Sequence, residues 1–387
     1  MQSTFDQTPE RRGSGSLKWD IYGNKDVLPF WVADMDFESP PEVLEALHQR
    51  VAHGVFGYTL PTTDEKAAVL NYLRRRHGYT GEGSALVWLP GMVPALTIAS
   101  AVAKSRGATS ALTCTPVYPP FLKGPKDVGL EVRSVPLVED PVSRRLTFNF
   151  AAMEKCVDAE TGLFILCNPH NPVGRAYSKD ELSELIDFCN RQDLLLCSDE
   201  IHCDLILDDA KTPHHSLLGF EGDVQQREIV LMAASKTYNI AGIGCAFAVI
   251  PDGQLRIAFR KAAGGWVPPV NAFGYPATAA AFRHGESWRQ GLLVRLRENE
   301  AILRRHLGLH HPEITMAPIE ATYLAWLDVR ALNLKNPQAF FQERGIGLSD
   351  GTDFGGPGFL RWNFGCSKAV LEEGLARFTK ALASEVS

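Results

Sequence analysis

Three polar runs in this chain each follow a short apolar one, and together they hold a lysine, an aspartate and an asparagine in the setting that small-molecule chemistry uses. After residues 163–167 comes Asn168-Pro169-His170-Asn171-Pro172-Val173-Gly174-Arg175; after 194–197 comes Ser198-Asp199-Glu200-Ile201-His202; after 229–233 comes Ala234-Ser235-Lys236-Thr237-Tyr238-Asn239. Open α/β sheets bind ligands outside the carboxyl ends of their strands, so three such runs in order predict one cleft. Lys236, beside a strand end and partly desolvated, could have the lowered pKa needed to form an imine and then to act as a base. Its other meaning is a solvated surface lysine. Asp199 follows a buried strand, where an isolated carboxylate is costly unless it meets a cation; otherwise it caps a helix or closes a salt bridge. Asn171 is a side-chain donor or the first residue of an ordinary Asn-Pro turn.

The elements that must position these residues are legible from residue 40 onward, where helical patterns alternate with short β-rich runs. That alternation predicts βαβ units around a mainly parallel sheet, an α/β fold. Strands are predicted at 85–89, 110–114, 163–168, 194–199, 229–233 and 245–250, most of them apolar throughout, as befits strands covered on both faces. Ser178 and Glu181 form a capping box ahead of Leu182, Leu185 and Ile186, and Gly54 and Gly78 close two helical runs. After about residue 270 long helical stretches (278–307 and 368–383) are joined by short strands at 313–316, 323–327 and 359–364, which reads as a smaller α+β domain. The 387 residues exceed the length at which one core usually divides. The predicted organisation is an N-terminal arm with part of the small domain at 1–45, a large domain at 46–270 and a small C-terminal domain at 271–387.

Composition excludes several classes of function. A net charge of -6 leaves no basic footprint, and no zinc-finger or RNA-binding motif is present, so nucleic acid is not an expected partner. Residues 1–16 have no apolar run after their charges, so they do not read as a secretory signal, and the longest apolar stretches are too short to span a bilayer. No membrane role is expected, and the location expected is cytoplasmic. Eight cysteines spread along the chain, several within strand-like runs, fit free thiols in a reducing compartment. His170, His202 and Cys203 lack the spacing of metal ligands, so no metal is expected. His214-His215 and His310-His311 read as loop residues, and 351–358 as a bend before Arg361.

The three strand-end runs do not stand alone. With Lys18-Trp19-Asp20, Trp31-Val32-Ala33-Asp34-Met35-Asp36, Phe56-Gly57-Tyr58-Thr59, Pro90-Gly91-Met92-Val93-Pro94-Ala95, Thr115-Pro116-Val117-Tyr118-Pro119-Pro120-Phe121, Thr322-Tyr323-Leu324-Ala325-Trp326-Leu327-Asp328 and Arg361-Trp362-Asn363-Phe364, they cover nearly the whole chain. In that order they resemble the fold-type I pyridoxal 5'-phosphate (PLP) enzymes of the aspartate aminotransferase superfamily. More narrowly they resemble the MalY/PatB-like branch of cystathionine β-lyases and cysteine-S-conjugate β-lyases. The resemblance implies that 46–270 is the PLP-binding domain and that Lys236 is the Schiff-base lysine. It implies that Asp199 faces the protonated pyridine nitrogen, that Asn171 donates to the cofactor's phenolic oxygen and that Tyr118 stacks on the ring. Gly91, Met92 and Val93 open a helix whose amides suit the phosphate, with Ser235 adding a hydroxyl and Ile201 and His202 lining the same pocket. Arg361 matches the arginine that grips the substrate α-carboxylate, and Ala33 offers it a backbone N–H. Tyr58 matches the tyrosine that relatives contribute across a dimer interface, which implies a homodimer with a shared active site.

Two departures stand out. Many aminotransferases carry a serine and an arginine as phosphate ligands where this chain has Ala233 and Gly244, and His202 occupies the position of a family tyrosine. The reaction implied is β-elimination: Lys236 takes the α-proton of an amino acid, a thiolate leaves the β-carbon, and a thiol, pyruvate and ammonia result. The substrate would be cystathionine or another cysteine S-conjugate, with Tyr58 or Lys236 protonating the leaving group. The same fold permits transamination, or oxidative deamination or decarboxylation of an S-conjugated cysteine in a biosynthetic pathway. It also permits a non-catalytic regulator, against which the intact Lys236, Asp199 and Arg361 argue.

Overall fold

The computed structural model describes residues 4–383. Residues 1–3, at the head of the predicted arm, and 384–387 lie outside them. Between those limits, runs such as Leu163-Phe164-Ile165-Leu166-Cys167 carry apolar side chains on both faces, so they need cover from both sides. They find it in a seven-stranded sheet. Its strands are β1 (Leu86–Leu89), β2 (Ser110–Thr115), β3 (Glu131–Pro136), β4 (Thr161–Cys167), β5 (Leu195–Asp199), β6 (Glu228–Met232) and β7 (Ala246–Val249). The order is β1-β7-β6-β5-β4-β2-β3, parallel except that β7 runs antiparallel to both its neighbours.

The two-residue period of the strands divides the core. Leu163, Ile165 and Cys167 of β4 and Leu195 and Cys197 of β5 pack in one cluster, whereas Phe164, Leu166 and Leu196 pack in the other. The first face is covered by Leu96, Ala99 and Val102 of helix α1 (Met92–Ser105) and by Phe259 of α3 (Gly253–Ala263). The second is covered by Leu182, Leu185 and Phe188 of α2 (Lys179–Arg191), which begins at the predicted capping box. Each fully buried leucine or phenylalanine contributes about 1.5–3 kcal/mol through burial.

A second, antiparallel sheet comprises β8 (Thr315–Met316), β9 (Leu324–Asp328), β10 (Ser349–Asp350) and β11 (Phe359–Asn363), in the order β8-β9-β11-β10. Helices α4 (Gly274–His284), α5 (Glu286–His310) and α6 (Lys368–Ala383) accompany it. From the N-terminal arm, Leu28–Pro29 pairs in parallel with Ile346–Gly347, which ties the start of the chain to this end of the molecule.

Two elements differ from the sequence expectation, and one residue differs in its burial. Strand β3 was not predicted, because its polar residues Glu131, Arg133 and Ser134 lie on a largely exposed edge of the sheet and give no apolar run. The predicted helix 278–307 is two helices that meet at Gly285, where a Cβ would fall 2.5 Å from the Tyr238 ring and 2.6 Å from the Ala281 carbonyl. His214 is in a loop as expected, but it is buried there, with Nε2 3.1 Å from the buried carboxylate of Glu200. Among the described residues no helix is long and apolar enough to cross a membrane, and no group of three His, Cys, Asp or Glu could hold a metal ion.

Candidate active site

Strands β4 and β5 end in register, Cys167 beside Asp199, and the Asn168 amide donates to the Asp199 carbonyl at 3.0 Å. The polar runs that follow therefore emerge at the same edge of the sheet. A cavity of about 970 Å³ opens there, between that edge and the end of the second sheet that carries Arg361. It brings together nearly all the residues singled out above: Lys236, Asp199, Asn171 and Tyr118, then Ala33 and Arg361. Ser235, Ile201 and His202 line it too, as do Gly91, Met92 and Val93. Tyr58 is not among them. It stands fully exposed between two helices, at 104% of its reference accessibility.

Three charged groups in this cavity lack the partners that burial normally demands. Asp199 is buried and accepts from the Ile201 amide at 3.0 Å, yet among the described residues no lysine, arginine or histidine pairs with it. Burial pushes its carboxyl up to about 7, against the pull of that amide and of the Lys236 charge. Arg361 is buried with no carboxylate partner among the described residues. Its Nη1 donates to Asn171 Oδ1 at 3.0 Å and its Nη2 to the Trp31 carbonyl at 2.7 Å, while its Nε has no partner and the guanidinium lies 4.6 Å from the Phe354 ring centre. Burial brings it down to about 10. Lys236 donates to the Ala33 carbonyl at 2.7 Å, and burial, reinforced by the Arg361 charge, lowers its amine to about 8. A buried arginine without an acid calls for an anion, and a buried aspartate without a base calls for a cation.

Neighbouring groups refine the site. Burial lowers the His202 imidazole to about 3, with the Lys236 and Arg361 charges adding to the effect, so it is neutral, and its Nδ1 has no hydrogen-bond partner. Helix α1 begins at the cavity with Gly91 as its cap and no acid in its first turn, so the positive end of its dipole meets the cavity uncompensated. Gly244 also lines the cavity. Its φ of 66° and the 3.2 Å that would separate a Cβ from the Pro90 carbonyl explain why no arginine projects from this position.

Some contributors were not singled out by sequence reasoning. Ser349 lies opposite Arg361 in the second sheet, and Phe354 lies beneath the guanidinium. Tyr323 donates to the Ala33 carbonyl at 2.9 Å. Tyr323 and the Trp31 carbonyl belong to motifs already quoted, but their contacts span about three hundred residues and leave no local signal.

A doubly covered, mostly parallel sheet with a half-buried lysine at its strand ends, faced across a cavity by an unpaired arginine of the second sheet, defines an α/β enzyme with a pocket for a small anionic molecule. The chain belongs to the aminotransferase class I and II family, whose model matches residues 25–378. It is 37% identical to the cystathionine β-lyase PatB of Bacillus subtilis, over 98% of this chain and 99% of that protein. The crystal structure of OvoB superposes with a TM-score of 0.94 at 40% identity, covering 98% of this chain and 99% of that one. Cystalysin from Treponema denticola, whose crystal structure contains PLP, superposes with a TM-score of 0.92 at 33% identity over the full length of both chains.

Proposed function

We propose that this chain is a PLP-dependent carbon–sulfur β-lyase that cleaves cystathionine or another cysteine S-conjugate to a thiol, pyruvate and ammonia. The observation that carries the reading is the set of unpaired groups in one cavity, because PLP and an amino acid satisfy each of them. Lys236 Nζ would hold the aldehyde carbon, Asp199 would pair with the ring nitrogen and the start of α1 would face the phosphate. Asn171 and Tyr118 lie on the remaining wall of the cavity. Among the described residues the Asn171 Nδ2 has no protein acceptor, so it is available to the cofactor's phenolic oxygen. When bound, the cofactor takes up the electron pair left at the substrate α-carbon, chemistry that no side chain here supplies.

The chain's own residues do the rest. Arg361 grips the α-carboxylate with the guanidinium that has no acid of its own, and Asn171 and the Trp31 carbonyl fix its plane. Lys236, lowered to about 8, is poised to take the α-proton near neutral pH. The pair left at the α-carbon then forms the double bond to the β-carbon as the bond from the β-carbon to sulfur breaks; the thiolate leaves with the pair of that broken bond and takes up a proton, and water completes the release of pyruvate and ammonia. Likeness to PatB along the whole chain favours elimination over transamination, and Gly244 in place of a phosphate-binding arginine sets the pocket apart from that of many aminotransferases.

The working unit in this reading is a homodimer that delivers Tyr58 from a second copy. Val51, Val55, Phe56, Tyr58 and Leu60 are all exposed large side chains on one short stretch of chain, a surface that a second copy would cover. The eight cysteines are free, and all but Cys156 are buried, which fits a cytoplasmic setting. The test is to supply cystathionine or an S-alkyl cysteine without any 2-oxo acid and to measure thiol and pyruvate. Release of both is expected. Turnover that requires a 2-oxo acid acceptor would replace the lyase reading with a transaminase.

A further inference from the structure

Residues 31–37 form neither helix nor strand, yet side chains from distant parts of the fold bond their carbonyls almost one after another. The Trp31 carbonyl accepts from Arg361 at 2.7 Å, that of Val32 from Asn363 at 2.7 Å, and that of Ala33 from Lys236 at 2.7 Å and Tyr323 at 2.9 Å. The Asp34 carbonyl accepts from Asn363 at 2.7 Å and from Lys18 at 3.1 Å. The segment thus touches both groups that handle substrate, the amine of Lys236 and the guanidinium of Arg361. A loop with this duty needs an anchor of its own.

Asn239 has the geometry of that anchor. It lies three residues beyond Lys236, in the turn that the Ile240 amide closes on the Ser235 carbonyl at 3.0 Å. Its Oδ1 accepts from the Met35 amide at 2.9 Å, and its Nδ2 donates to the carbonyls of Met35 at 2.9 Å and Phe37 at 2.7 Å. Its own carbonyl accepts from Ser39 at 3.1 Å. Both ends of the amide are thus engaged with the loop. Its φ of 55° is left-handed, a conformation that asparagine and glycine tolerate far better than other residues. The far side of the loop is held independently, where buried Asp36 accepts from Arg11 at 2.7 Å, Lys18 at 2.8 Å and Trp19 at 2.9 Å.

We propose that Asn239 is a positioning residue that clamps the 31–37 loop to the lysine turn, fixing the spacing between the Lys236 amine and the carboxylate grip of Arg361. The inference rests on the roles given above to Lys236 and Arg361, but not on whether the site eliminates a thiol. Its mode of action is mechanical. The clamp sets the Ala33 carbonyl against Lys236 and the Trp31 carbonyl against Arg361, and a displacement on the order of 1 Å at either point costs about a hundredfold in rate.

The test uses the full-length holoenzyme and two variants. Asn239→Gly keeps the left-handed backbone and deletes the amide; Asn239→Asp keeps the acceptor for Met35 and sets a carboxylate oxygen against the Met35 and Phe37 carbonyls. Three quantities are read: hydrogen exchange of the 31–37 amides by mass spectrometry, the affinity for L-alanine from the change in cofactor absorbance, and steady-state kcat and KM. In both variants the loop amides should exchange at least about tenfold faster, and L-alanine affinity and kcat/KM should fall about ten- to a hundredfold, with the thermal midpoint of Asn239→Gly little changed. Unchanged exchange would overturn the clamp, and faster exchange with unaltered L-alanine affinity and kcat/KM would reduce Asn239 to a structural residue. L-alanine has no leaving group, so its binding reports on the clamp even if wild-type protein releases no pyruvate.

Discussion

Replacing Arg361 separates what the guanidinium does for the reaction from what it does for the fold. Its two bonding nitrogens reach Asn171 Oδ1 at 3.0 Å and the Trp31 carbonyl at 2.7 Å, and burial brings it down to about 10 from its ordinary 12.5. Below pH 10 both the folded and the unfolded chain carry this charge, so the whole cost of burying it is present at neutral pH. That cost is relieved only as pH rises through 10, and it is on the order of 3 kcal/mol. Arg361→Met removes it and leaves Asn171 Oδ1 unpaired, at about 1 kcal/mol, while the Trp31 carbonyl keeps its bond from Ser349 Oγ at 2.9 Å. The relief outweighs the loss, and the thermal midpoint should hold or rise by a few degrees. Activity should not survive, because two charge-assisted hydrogen bonds to a substrate carboxylate contribute about 3–6 kcal/mol, or roughly two to four powers of ten in kcat/KM. Arg361→Lys keeps the charge but not the fork and should lose about 10- to 150-fold. Pyruvate release against substrate concentration, alongside scanning calorimetry at pH 7, reads both quantities. A midpoint lowered by more than about 5 °C in Arg361→Met, with Arg361→Lys within about threefold of wild type in kcat/KM, would make the residue a structural cation and refute the reasoning.

Tyr58→Phe and Lys236→Ala should each be poorly active alone, the latter also losing its yellow absorbance. Refolding them together should restore about a quarter of wild-type turnover, since half the dimers are hybrids with one complete site of two; no recovery would place Tyr58 outside the partner's site. Glu228 is buried with Oε2 unpartnered, and burial, with the charge of Glu200 adding to it, pushes its carboxyl up to about 8. The folded state therefore binds this proton more tightly than the unfolded state between pH 4.5 and 8, and its contribution to stability declines as pH rises through that window. Glu228→Gln should flatten the decline, and thermal midpoints that fall as steeply from pH 5.5 to 8 as in wild type would count against it. Gly244→Arg should cost about 1–2 kcal/mol of stability by forcing a side chain into left-handed backbone, read by urea unfolding. An arginine there that binds cofactor more tightly at no cost in stability would show that the Pro90 carbonyl gives way.

How much of this could be read from sequence follows from how far each interaction reaches along the chain. Strands β4, β5 and β6 were legible because burial on both faces leaves uninterrupted apolar runs, and the capping box at Ser178 because its partners lie three residues apart. Strand β3 was not, since an edge strand with exposed Glu131 and Ser134 carries no such run. Lys236, Asp199 and Asn171 could be placed in one cleft because parallel strands end together. Arg361 is marked by the family resemblance alone, and nothing local identifies it as the buried cation without an acid.

The same distinction hides the role of the 31–37 loop in the sequence, although the loop carries a family motif. Its residues are apolar or acidic, and its function resides in carbonyls that have no residue-type signature. Those carbonyls are engaged by Arg361, Asn363, Lys236, Tyr323 and Asn239, two hundred residues or more away. A site built on main-chain acceptors can be read in sequence only through its donors, and each donor has an ordinary meaning of its own. Asn239 is the informative one, because its left-handed backbone adds a steric demand to the hydrogen-bonding one. A residue that satisfies two unrelated constraints is harder to replace than one that satisfies either alone, so exchanging it tests the geometry of the site more sharply than exchanging a residue that meets the ligand.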